Sequence, residues 1–177
     1  MTLVDIESNL SDTERELLDN VHKFASEVMR PAGQALDKLA DPADVIADGS
    51  PLWPVFERHR ELGLDLFDSE EVGLSPIEQA RLRAMVAEEM GWGDSGLAIS
   101  LGVAGFHKMF ARLSGRPALV ERFCAPDSRD IGCWAVTEPD HGSDTLAVTE
   151  PSFSDPKLRA NCIARKDGKH WIIKGQK

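Results

Sequence analysis

Through roughly the first 125 residues the apolar positions recur at helical spacing, and after them they collapse into short runs broken by turn residues. Ser11-Asp12-Thr13-Glu14 has the form of a capping box, in which hydroxyl and carboxylate each satisfy a backbone amide of the opening helical turn. Leu17, Leu18, Val21, Phe24, Ala25 and Val28 follow on one face. Pro31 is expected to kink or end that helix near Arg30, because proline lacks an amide hydrogen and its ring crowds the preceding turn. The Pro, Asp and Gly residues between Ala40 and Pro54 mark a loop, and Val55 to Leu64 reads as a short helix. Ser75-Pro76-Ile77-Glu78 is a second capping box, with proline at the first helical position, and its helix is expected to run to about Met90. Beyond the Gly91–Gly96 break, Leu97 to Leu113 is apolar and rich in small residues, as in a helix packed closely on several sides. A last helix is predicted over Pro117–Cys124.

The character then switches. Ile131–Val136 reads as a strand and Thr149–Lys157 as a Pro/Ser/Asp loop. Asn161–Arg165 and Lys169–Ile173 flank Lys166-Asp167-Gly168, the strongest hairpin signal in the chain. The pattern predicts an α+β protein, with an N-terminal all-α domain over residues 1–128 and an incomplete antiparallel β-domain over 129–177. Strands this few cannot close a barrel, so the β part is expected to be incomplete or to borrow strands from elsewhere.

Charge narrows the partners. With 20 basic against 30 acidic side chains, a net charge of −10, the surface repels nucleic acid and anionic membranes, while a local basic patch can still attract a phosphate. No apolar run approaches the ~18 residues of a membrane span. The N-terminus has early acidic residues and no basic leader, so neither a secretory signal nor a transit peptide is expected. Cys124, Cys133 and Cys162 lack CxxC spacing and fit buried thiols in a reducing, cytoplasmic setting. The dispersed histidines His22, His59, His107 and His170 predict no metal site, only solvated or capping roles.

The chemistry concentrates in Trp134-Ala135-Val136-Thr137-Glu138-Pro139-Asp140-His141-Gly142-Ser143-Asp144. A strand delivers the Thr137 hydroxyl, and a Pro/Gly turn then exposes amides and the Ser143 hydroxyl to something polar or anionic. The same residues also read as a surface turn whose Ser and Asp cap local backbone. The block resembles the flavin-contacting signature of acyl-CoA dehydrogenases, in which Val-Thr-Glu-Pro is followed after two residues by Gly-Ser-Asp. His141 departs from it, since a small residue is usual there, and its imidazole is expected to narrow the ligand entrance or shift the turn. The Asp167-Gly168 hairpin with Trp171–Lys177 resembles the family's next hairpin, and Glu88–Leu97 resembles the helix pair preceding its β-domain.

The resemblance implies an FAD-dependent α,β-dehydrogenation of an acyl-CoA thioester, with an electron-acceptor flavoprotein as possible partner and a homo-oligomer or a complementing chain as assembly. Trp134, Val136 and Thr137 would line the flavin, Gly142 and Ser143 would lie by its polar linkage, and Ser143 also by the thioester ligand. Ala98, Ile99, Gly102 and Phe106 share one helical face that would border the acyl chain, although an ordinary core stripe has the same spacing. Glu138 is rejected as a base in favour of a capping or solvent-facing role, and no residue of the chain is nominated as catalytic. In the resemblance the chain ends before the family's base, so the isolated polypeptide is expected to hold FAD weakly and to be inactive. An acyl-CoA oxidase, a flavin-dependent monooxygenase and a non-catalytic partner subunit remain alternatives. The charge run Glu57–Glu61 reads as a solvated helix face.

Overall fold

Caps and apolar faces account for most of the helical part. A computed structural model describes residues 10–64, 75–125, 127–142, 149 and 160–177, so Ser143 and nearly all of the Thr149–Lys157 segment lie outside the described residues. The chain divides into two compact units, Met1–Gly132 and Cys133–Lys177. The protein is α+β, a helical N-terminal part followed by a small antiparallel sheet.

In the first unit, α1 (Asp12–Phe24) opens with the Ser11–Glu14 capping box in place. Pro31 does not end this helix. A π-helical turn over Ala25–Met29 leads directly into α2 (Arg30–Leu36), with the Arg30 amide donating back to the Ala25 carbonyl. The wider turn makes room for the proline ring, so the helical run passes through it. After a short 3-10 turn (Pro42–Ile46), α3 spans Leu52–Glu61. It starts earlier than the proline content suggests, because Pro54 falls in the first turn, where a missing amide hydrogen costs no intrahelical bond. The second capping box starts α4 (Pro76–Gly93).

At the α4 end, a Cβ on Gly93 would come within 2.9 Å of the Ala25 backbone, and one on Gly33 within 2.0 Å of the Asp94 carboxylate. Only glycines allow this corner to close. Asp94 then caps α5 (Ser95–Ala104) by accepting from the Leu97 amide at 2.8 Å. The segment read as one helix from Leu97 to Leu113 breaks at Gly105, and α6 runs Phe106–Leu113, followed by α7 (Pro117–Phe123). The core joins Val21, Phe24 and Met29 to Val55 of α3, Val86 and Met90 of α4, and Leu97 and Leu101 of α5.

The strand expected over Ile131–Val136 is absent. These residues have no ladder partner among the described residues, and the Gly132 amide instead donates to the Ala104 carbonyl at 2.9 Å. Strand propensity expresses itself only against a neighbour. In the second unit, β1 (Ile163–Asp167) pairs antiparallel with β2 (His170–Lys174), Asp167 opposite His170. The two-residue loop is Gly168-Lys169, one step later than the Asp-Gly pair suggested, with Gly168 at φ +58 as a tight hairpin turn requires. Both strands are exposed throughout. Among the described residues no helix is long and apolar enough to cross a membrane, and no cluster of His, Cys, Asp or Glu could hold a metal.

Candidate functional site

Packing α3, α4, α5 and α6 leaves a cavity of about 620 Å³ within the helical unit. Ala98, Ile99, Gly102 and Phe106 all line it. They come from α5 and the start of α6, and Gly102 presents no side chain: a Cβ there would meet nothing within 4 Å. Phe56, Val86 and Met90 extend the apolar lining from α3 and α4.

The polar lining is basic although the chain as a whole is acidic. Arg60, Arg83, Lys108 and Arg112 contribute, against one acid, Asp130. Asp130 is engaged by Arg122 at 2.6 Å, which holds its carboxyl below the usual range. Arg60 corrects the reading of Glu57–Glu61 as a wholly solvated face. Glu57, Arg58 and Glu61 are exposed, but His59 and Arg60 are half-buried and line the cavity. The signal was present in the sequence, since Phe56, His59 and Arg60 stand at i, i+3 and i+4 and therefore share a face.

His107 lies on the same wall. Its Nδ1 donates to the Ala104 carbonyl at 2.9 Å, since a carbonyl can only accept. Nε2 is buried with no hydrogen-bond partner among the described residues. A Cβ on Gly132 would approach His107 Nδ1 to 2.5 Å, so glycine there lets the ring and the Gly132 amide share one carbonyl. No sequence spacing links His107 to Gly132; only the fold does.

The other predicted site residues lie in the second unit. Trp134 and Thr137 are exposed and Val136 is half-buried, with its amide donating to the Trp134 carbonyl at 3.0 Å. Reciprocal bonds of 2.8 and 3.2 Å between the Glu138 and His141 backbones close the turn over Pro139 and Asp140. Gly142 is half-buried, and a Cβ there would meet nothing within 4 Å. Glu138 is the surprise. It is 5 % exposed, not solvent-facing. Its carboxylate accepts from Lys177 Nζ at 2.8 Å and from the amides of Asn161 and Cys162, and this set, Lys177 foremost, holds its pKa down at about 2. A carboxylate so committed is a structural cap and a poor proton acceptor.

The chain is thus an α+β protein with a cavity-bearing helical unit followed by a β-hairpin unit. No family model and no solved structure matches the chain. Among characterised proteins, glutaryl-CoA dehydrogenase of Desulfococcus multivorans is 29% identical over 138 residues, which is 73% of this chain and 32% of that enzyme. The chain is thus a distant homologue of an acyl-CoA dehydrogenase and spans about a third of the length of that relative.

Proposed function

We propose that this chain serves an FAD-dependent oxidoreductase of the acyl-CoA dehydrogenase type, acting on an acyl-CoA thioester whose acyl chain lies in the helical cavity. The observation that carries the reading is the convergence of Ala98, Ile99, Gly102 and Phe106 on one cavity in a chain with an acyl-CoA dehydrogenase relative. Its volume is within the range of about 300–1,000 Å³ typical of small-molecule sites, and its apolar floor suits an alkyl chain.

The exposed Trp134 ring, the exposed Thr137 and the open space over Gly142 fit a flat aromatic cofactor with a polar edge, and support FAD as that cofactor. In this reading Thr137 donates to the ring edge that gains negative charge, Trp134 and Val136 cover its face, and Gly142 and Ser143 approach its polar linkage. Bound flavin supplies the acceptor for a hydride from the thioester. The chain's own contribution is to bind and orient, with the apolar lining of the helical cavity laid against the acyl chain.

The test is calorimetric titration of the 177-residue chain with acyl-CoAs of increasing length, in wild type and in Gly102→Leu. Leucine fills the cavity while raising helix propensity, so affinity is expected to fall tenfold or more with helicity and melting temperature maintained, a loss of about 1.4 kcal/mol or more. Equal affinity in the two proteins would place the acyl chain elsewhere.

A further inference from the structure

The cavity joins an apolar floor to a basic lining in a chain whose net charge is −10, and that inversion needs a cause. The carrying observation concerns Arg60 and Arg112. Both line the cavity, from α3 and α6, and neither side chain has an ion pair or hydrogen bond among the described residues. Four other arginines of the helical unit do have acidic partners: Arg81 with Glu14, Arg58 with Glu61 at 2.8 Å, Arg122 with Asp130 and Arg129 with Glu57 at 3.5 Å. Arg60 is also half-buried, where an unmatched guanidinium is costly unless an anion meets it. Asp130, the acid in the lining, is engaged by Arg122 and pairs with neither Arg60 nor Arg112.

We infer that the cavity selects an amphipathic anion, its apolar chain against Ala98, Ile99, Gly102 and Phe106 and its anionic group held by Arg60 and Arg112. This deepens the reading of the cavity as an acyl-chain site and rests on it. Phosphate on a CoA thioester and the carboxylate of a free fatty acid share this chemistry. The net charge of −10 disfavours anions in general, so discrimination comes from local charge and apolar length acting together.

The test compares three probes on the full 177-residue chain by calorimetry. Decanoyl-CoA carries tail and phosphates, decanoyl-pantetheine carries the same tail without phosphate, and decanoate carries tail and carboxylate. Arg60→Gln and Arg112→Gln, with circular dichroism as the check on folding, are each expected to weaken the anionic ligand about fivefold and to leave decanoyl-pantetheine unaltered. The wild-type preference should shrink in 0.5 M KCl as screening shortens the reach of the charges.

Selective loss for decanoyl-CoA identifies phosphate as the anion, and selective loss for decanoate identifies carboxylate. If decanoate binds and both thioesters do not, the amphipathic-anion site stands and the acyl-CoA reading fails. If all three bind alike and the arginine variants change nothing, the acyl site stands and this inference is overturned. Binding of none of them removes both.

Discussion

The two units use a buried carboxylate in the same way but depend on it differently. In the helical unit Glu14 accepts from Ser11 and pairs with Arg81, and the unit also has a core of Phe24, Met29, Val55 and Leu101. In Cys133–Lys177 Glu138 accepts from Asn161 and Cys162 and pairs with Lys177, and it is the one buried residue among those described there. The hairpin beside it puts Lys166 opposite Trp171 and Arg165 opposite Ile172, so each face mixes a cation with an apolar residue and neither makes a core. Apolar burial organises the first unit, with its ion pair as an addition. Three hydrogen bonds to one carboxylate organise the second. A two-stranded hairpin is marginal alone, so its order leans on that carboxylate.

The largest separation of the two should follow Met29→Ala. Met29 is fully buried at the π-helical turn, and truncating such a side chain removes about 2–5 kcal/mol. Urea denaturation followed by helical circular dichroism should show this loss, while amide exchange over Ile163–Lys174 stays as in wild type. Hairpin exchange that rises in parallel would mean the units share one cooperative core.

Acid should act the other way. The Glu138 pKa is lowered from 4.5 to about 2, so the folded state binds the proton less readily than the unfolded chain does. Its contribution is complete above pH 4.5 and is lost as the pH falls toward 2. Amide exchange at Asn161 and Cys162, corrected for intrinsic rates, is expected to accelerate over that window. In Glu138→Gln it should already be fast at neutral pH and nearly flat from 4.5 to 2. Persistent protection in that variant would show that the carboxylate does not organise the hairpin. Glu14 is also lowered, chiefly by its bond from the Ser11 amide, yet the apolar core of its unit should keep the helical unit folded further into acid.

Legibility in the sequence follows the range of the interactions. The capping boxes at Ser11 and Ser75 span three residues and stand where the sequence puts them. The hairpin was also visible, displaced by one residue at its turn. Pro31 misleads because a π-helical turn answers it, and periodicity does not encode that. Ile131–Val136 misleads because a strand requires a partner, and propensity says nothing about whether one is near. Of the candidate site, the apolar face of Ala98, Ile99, Gly102 and Phe106 could be read from spacing. The presence of Arg60 from α3 and Arg112 from α6 in one cavity lining and the lock of His107 by Gly132 depend on bringing distant segments together, and so did the burial of Glu138.

The smallest effect expected tests how little holds the hairpin turn. Gly168 sits at φ +58, a region that an L-residue with a Cβ enters at a cost of about 1–2 kcal/mol. Nothing lies within 4 Å of a Cβ built there, so the cost of Gly168→Ala is conformational and not steric. Asparagine tolerates this region better than alanine does. Gly168→Asn should therefore keep most of the cross-strand protection at Lys166 and Trp171, and Gly168→Ala should lose about 1 kcal/mol of it. Helical circular dichroism ought to be identical in all three proteins. The reading requires the order Gly, Asn, Ala in amide protection across β1 and β2. If alanine matched glycine, the turn geometry would not limit the hairpin, and its order would rest on the Glu138 contacts alone.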